Sequence, residues 1–147
     1  HRNHLCLAPS LCKLMGKGVN KMSKLVLISH GDFSAALKAS AEMIMGPQDD
    51  IATVGLQPNE GPEDFRTKFE AAIAGESNVT VLADLKGGTP SNVAAAVLAQ
   101  GGDFDLYAGA NLPMVISYLN AQMLGAEPDL LKDGQAGVVY INDIVKH

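Results

Sequence analysis

The stretch KLVLISHG, residues 24–31, is the first regular segment of this sequence. Residues 25–29 form an apolar run of β type, and the residues after them have a helical period that stops at Gly46 and Pro47. The same alternation recurs and predicts strands at residues 51–56, 79–83 and 104–108, each followed by a helix, the last at residues 113–124. The third helix is predicted to begin at Thr89, which can cap it.

The repeated order of strand and helix predicts an α/β fold. We expect a doubly wound three-layer sandwich with a parallel sheet in the order 2-1-3-4. An apolar segment at residues 138–141 follows a polar loop at residues 126–135 and predicts a fifth strand. Because so apolar a strand must pair, it should cover a sheet edge, either of its own chain or of a second copy.

The composition fits one globular domain. The chain has 147 residues, of which 47% are hydrophobic and 18% charged, and this is enough to bury a core. The net charge of -5 is scattered along the chain, so we predict no nucleic-acid partner. No apolar run approaches the ~20 residues of a membrane-spanning helix, and we expect a cytoplasmic protein.

The first 21 residues show no sustained period and precede Met22, a plausible start. We interpret residues 1–21 as a disordered or vector-derived extension and residues 22–147 as the domain. Both cysteines, Cys6 and Cys12, lie in this extension, and their spacing with His1 and His4 matches no common zinc pattern. The sequence therefore predicts no metal site.

Two polar residues follow the strands that flank the predicted switch point of the sheet, where ligands bind in such folds. His30 follows the first strand and Asp84 the third, and neighbouring strands about 4.8 Å apart would bring them together. His30 is the one histidine between residues 22 and 146. A neutral imidazole is a good nucleophile near pH 7, because its unperturbed pKa is about 6.5. We predict His30 and Asp84 as a catalytic pair.

A glycine-rich turn follows Asp84 and leads into the third helix. Glycine lets the backbone approach a ligand closely, and a helix N-terminus favours an anion. Gly87, Gly88 and Thr89 are therefore predicted to bind phosphate, although a tight connection with a helix cap would explain the same residues. The Walker and dinucleotide-binding patterns are missing, so no nucleotide cofactor is predicted.

Three ordered motifs resemble the mannose-type IIA family of the sugar phosphotransferase system: LVLISHG at 25–31, DLKGGTPSN at 84–92 and AGANLPM at 108–114. The resemblance covers residues 22–146. It implies that His30 accepts a phosphoryl group through Nε2 from the histidine-containing phosphocarrier protein and passes it to the IIB component. The membrane components IIC and IID are then indirect partners. Asp84 would hydrogen-bond the ring, Thr89 would supply a hydroxyl, and the fifth strand would be exchanged in a homodimer.

A site that serves two protein partners should be shallow and open. Phe33, Leu112 and Met114 are candidate apolar contacts for those partners, with core packing as an equal alternative. Lys86 stands where some family members carry an aromatic residue, and a solvated lysine is its default interpretation.

Other functions fit parts of the pattern. The phosphocarrier subunit of dihydroxyacetone kinase resembles the family at the first strand, but the Gly-Gly-Thr-Pro turn favours the sugar transporter. A small tetrapyrrole metal chelatase would need a second histidine in the domain, and a receiver domain would need an acidic pair after the first strand. A silent regulatory domain that only binds partners also fits the sequence.

Overall fold

The computed structural model describes residues 23–146. Strands and helices alternate through this part of the chain as β1 (Lys24–His30), α1 (Phe33–Met45), β2 (Ile51–Leu56), α2 (Pro62–Ile73), β3 (Val79–Ala83), α3 (Thr89–Ala99), β4 (Phe104–Ala108), α4 (Leu112–Leu124), α5 (Leu130–Ala136) and α6 (Ile141–Val145). The four predicted strands agree with these bounds to within one residue at each end. The interpretation of residues 1–21 lies outside the described residues.

The four strands form one parallel sheet in the order β2-β1-β3-β4, as predicted. Ile28 of β1 lies between Val54 of β2 and Ala83 of β3 in the register. Because all strands run in one direction, their carboxyl ends share one edge of the sheet, and this edge carries both His30 and Asp84.

Helices cover both faces of the sheet, because successive side chains of a strand point to opposite sides. Leu25 and Leu27 pack with α1 and α4 on one face, and Val26 and Ile28 pack with α2 and α3 on the other. Burial of a large apolar side chain contributes about 1.5–3 kcal/mol, and all four of these residues are fully buried. The predicted three-layer sandwich is confirmed.

Helix α5 lies where the sequence predicted a polar loop. The Asp129 side chain caps it by accepting a hydrogen bond from the Lys132 N–H at 3.2 Å. Glycine in a helix interior costs about 1 kcal/mol relative to alanine. Because of Gly134, the sequence of this segment is not typical of a helix, and the helix was not predicted. In the fold Gly134 is buried, and a Cβ there would collide with the Met114 side chain of α4. Packing between helices therefore requires the glycine.

The predicted fifth strand at residues 138–141 does not form within the single chain, and its exchange between two chains stays a prediction. Residues 138–140 pair with no strand among the described residues, and Ile141–Val145 forms α6 instead. A strand needs an edge to satisfy its backbone groups, and a helix satisfies them locally. The segment stays exposed, with Val138 76% and Ile144 61% accessible.

Candidate functional site

The His30 ring and backbone both bind one oxygen of Asp84. The ring Nδ1 lies 2.8 Å from Asp84 Oδ2, and the His30 backbone N–H donates to the same oxygen at 2.9 Å. The Asp84 N–H donates to the Ile28 carbonyl at 3.0 Å, so the carboxylate sits where the β1–β3 ladder ends. The structure thus brings the predicted pair together.

The hydrogen bond to Asp84 decides which ring nitrogen is available. An ionised carboxylate only accepts hydrogen bonds, so the network assigns the proton of the neutral ring to Nδ1. Nε2 then carries the free lone pair. The His30 side chain is 49% exposed and that of Asp84 is 14% exposed. The arrangement presents a nucleophilic nitrogen on an accessible ring held by a largely covered carboxylate.

The second oxygen of Asp84 is also informative. Oδ1 is buried and has no hydrogen-bond partner within residues 23–146. A buried acceptor without a partner is unfavourable, and native structures contain few of them. The carboxylate lies in hydrogen-bond contact with the ring through its other oxygen, and from there it can balance a positive charge on the ring.

The glycine turn touches the other side of the imidazole. A Cβ on Gly88 would lie 2.7 Å from His30 Cε1 and 3.4 Å from Nε2, so only glycine leaves the ring its space. The Asn92 side chain donates to the Gly87 carbonyl at 3.1 Å and ties the turn to helix α3. The ring is thus held between Asp84 and the turn.

The structure corrects the predicted helix cap at Thr89. Gly88, not Thr89, is the N-cap of α3, and Thr89 is its first helical residue. The Gly88 N–H donates to the Leu85 carbonyl at 3.3 Å, so the turn itself uses this donor. In the described part of the chain, no acceptor engages the N–H of Gly87 or Thr89. These two amides are among the donors that the turn and the positive end of α3 can offer.

Three apolar residues follow strands β1, β3 and β4 at the carboxyl edge of the sheet. Phe33 is 47% exposed and Leu85 is 59% exposed, while Leu112 is partly covered. Met114 is 3% exposed and packs in the core, so its prediction as a partner contact is wrong. Leu85 was not among the predicted partner contacts, although a single apolar residue in a polar turn could have indicated it.

The third motif supports the carboxyl edge of the sheet. The Ala110 N–H donates to the Ala83 carbonyl at 2.9 Å. Asn111 accepts from the Met114 N–H at 3.0 Å, which caps α4, and donates to the Gly134 carbonyl at 3.0 Å. Asn111 therefore joins α5 to the carboxyl edge of the sheet.

A charged cluster lies after β2. The Lys68 ammonium donates to the Gly55 carbonyl and to Glu60 Oε1, both at 2.7 Å. The hydrogen bond from Lys68 holds the pKa of Glu60 below its usual value, and the Gln57 N–H contributes in the same direction. No group of three or more histidine, cysteine or acidic residues in residues 23–146 could hold a metal ion. Among these residues, no helix has the length and apolar character needed to cross a bilayer.

The fold and the site define a doubly wound α/β protein with a histidine–aspartate pair at its switch point. The family described as the PTS system fructose IIA component matches residues 24–133. The chain therefore belongs to the mannose-type IIA components of the sugar phosphotransferase system, PTS.

Named relatives agree with this family. The PTS system fructose-specific EIIA component of Bacillus subtilis is 36% identical over 118 residues, which cover 78% of this chain and 81% of the relative. The PTS system mannose-specific EIIAB component of Escherichia coli is 30% identical over 101 residues, covering 67% of this chain and 31% of that longer protein. The mannose/sorbose specific IIA subunit from Enterococcus faecalis has a solved structure with a TM-score of 0.68 and 33% identity, covering 80% of this chain and 93% of that one.

Proposed function

We propose that His30 is the phosphoryl carrier of this IIA component. It accepts a phosphoryl group on Nε2 from the histidine-containing phosphocarrier protein and passes it to the IIB component. The observation that carries the proposal is the 2.8 Å hydrogen bond between Nδ1 and Asp84 on a ring that remains 49% exposed. The reaction requires the protein to be in the cytoplasm, together with its phosphocarrier.

The transfer can be written with the groups at the site. The Nε2 lone pair attacks phosphorus, the phosphorus–nitrogen bond to the donor histidine breaks, and the donor ring leaves with the bonding electron pair. The His30 ring then bears a positive charge, which Asp84 balances across the existing hydrogen bond. Phosphoryl transfer spreads negative charge over the equatorial oxygens, so the Thr89 and Gly87 donors and the start of α3 would stabilise it. Passing the group to the IIB component reverses these steps.

The partners must approach the exposed side of the ring. Phe33 follows β1 and Leu85 follows Asp84 in the chain, and both are accessible apolar side chains that suit brief contacts with another protein surface. The name of the E. coli relative joins the A and B components in one protein, which supports a IIB partner. The relatives named above are all described as components of sugar phosphotransferase systems.

The test is transfer of label from phosphoenolpyruvate through the two general phosphotransferase proteins. Wild type and the control variant His147→Ala should both acquire label, and His30→Ala should acquire none while keeping its fold. Label on His30→Ala would contradict the assignment. An unlabelled wild type in the presence of active carrier proteins would favour a silent binding domain.

We also propose that the protein is a homodimer, with the terminal segment exchanged as the family resemblance implies. The exposed side chains of residues 138–145 are largely apolar, and a segment of this kind is suited to burial against a second copy of the chain. Light scattering at micromolar concentration should give a dimer for the full chain. A variant that ends at Gly137, without the residues that follow it, should be a monomer or an aggregate. This cut leaves the Asn111 contact to Gly134 intact. A monomeric full chain would rule the dimer out.

A further inference from the structure

The turn that carries His30 has an unusual backbone. Gly31 lies in the left-handed region with φ 53°, which side chains rarely adopt. Its N–H donates to the Leu56 carbonyl at 2.7 Å and so extends the β1–β2 ladder by one step. The direction of the His30 side chain at the end of β1 therefore depends on how the Gly31 carbonyl is held.

Ser29 holds the turn from inside the protein. It is fully buried, and its hydroxyl accepts a hydrogen bond from the Ser34 N–H at 2.8 Å. The same hydroxyl donates to the Gly31 carbonyl, with a longer oxygen–oxygen distance of 3.4 Å. Asp32, at the N-cap of α1, makes no side-chain cap bond, so Ser29 performs the capping from the preceding strand. One hydroxyl thus links the start of α1 to the turn.

Gly55 of β2 leaves room for the same carbonyl. It is the register partner of Ser29, and a Cβ at Gly55 would collide with the Gly31 carbonyl oxygen and lie 3.2 Å from the carbonyl carbon. Both atoms are backbone, so the collision could be relieved only by moving the turn. The Lys68 ammonium fixes the Gly55 peptide from its other side.

We propose that Ser29 and Gly55 are positioning residues for phosphoryl transfer, which set the orientation of the His30 ring through the Gly31 carbonyl: the Ser29 hydroxyl binds this carbonyl, and Gly55 leaves it room. This inference rests on the proposed function of His30. Neither residue contacts the ring, and the buried Ser29 side chain cannot touch a protein partner. Their loss should therefore misorient Nε2 without altering the docking surface.

The first test compares two buried hydroxyls. Ser29→Ala should lower the rate of label uptake at saturating phosphocarrier about tenfold, because misplacing a reacting group by a fraction of an ångström is costly. The half-saturating carrier concentration should stay unchanged. Ser34→Ala removes a hydroxyl that reaches only the Val54 carbonyl at 3.4 Å, and it should keep the wild-type rate. Ser29→Thr restores a hydroxyl and should recover most of the rate.

The second test compares two glycines that have no room for a Cβ. Gly55→Ala should slow uptake. Gly102→Ala should not, because Gly102 packs against Phe104 and Val97 at the amino end of β4, and His30 lies at the carboxyl ends of the strands. The imidazole nitrogen resonances of His30 should shift in Ser29→Ala and Gly55→Ala but not in the two controls.

These readouts separate the two proposals. If the wild type takes up no label, the phosphoryl-carrier function fails, and the imidazole resonances still report whether Ser29 and Gly55 orient the ring. If Ser29→Ala transfers at the wild-type rate, or if Ser34→Ala changes rate and resonances equally, the positioning role is overturned. Failure of Gly55→Ala to fold leaves the serine comparison decisive.

Discussion

Replacement of Gly88 by alanine should disable transfer without removing any chemical group. The new Cβ would lie 2.7 Å from His30 Cε1. Restoring an ordinary carbon–carbon contact of about 3.5 Å moves the ring by roughly 0.8 Å. A displacement of this size can take the 2.8 Å bond from Nδ1 to Asp84 beyond the roughly 3.2 Å limit of a good hydrogen bond. We expect a rate loss of about 10- to 100-fold, or about 1.4–2.7 kcal/mol in activation free energy.

The assay is the initial rate of label uptake from phosphorylated carrier, with the nitrogen spectrum of the His30 ring as a second readout. Gly61→Ala is the matched control. Like Gly88, Gly61 is an extended N-cap glycine, of α2, but a Cβ there meets nothing within 4 Å. Both substitutions should cost similar helix stability, about 1 kcal/mol or less.

The rates of Gly88→Ala and Gly61→Ala distinguish an effect on the position of the ring from an effect on helix capping. Gly61→Ala should transfer at the wild-type rate and Gly88→Ala should not. Equal rates for wild type and Gly88→Ala, with an unchanged His30 spectrum, would show that the ring tolerates the methyl group and that the contact does not position it. Equal losses in both variants would assign the effect to helix capping.

Three further predictions concern single side chains. Asp84→Asn should keep the fold and slow uptake about 10- to 100-fold, because an amide cannot balance the charge of the phosphorylated ring; a wild-type rate would remove Asp84 from the mechanism. Thr89→Val should raise the activation free energy by about 1–3 kcal/mol, the loss expected for one donor to a charged group, and an unchanged rate would leave Thr89 only structural. Carboxyl NMR should find Glu60 titrating below its usual value of about 4.3 in the wild type and closer to it in Lys68→Met. Because the folded-state pKa is the lower one, the stability from this pair should be present above that usual value and lost as pH falls through the folded-state pKa.

The strands, the layers and the strand order followed from the sequence, because they depend on patterns within short segments. Residues 25–28 and 81–83 are apolar without interruption, as is typical of strands buried on both faces, and the glycine and proline stops separate them from the helices. The carboxyl ends of neighbouring parallel strands lie side by side, and His30 is the last residue of β1 while Asp84 follows the end of β3. The strand order alone therefore predicted that the two residues lie close together.

Close contacts between distant segments were decided only by the tertiary structure. The sequence contains Gly88, Gly134 and Gly55 as three glycines of the same kind, but one faces the imidazole, one a methionine and one the Gly31 carbonyl. The N-cap position of α3 is also occupied by Gly88 and not by the predicted Thr89.

The terminal segment shows this limit most clearly. The sequence determined that residues 138–141 are apolar and must be covered, because the hydrophobic pattern alone fixes that requirement. Which structure they adopt depends on whether a strand edge lies within reach, since β pairing is a contact between segments and helix formation is local. In the single chain no edge takes up the segment, and its last residues form α6.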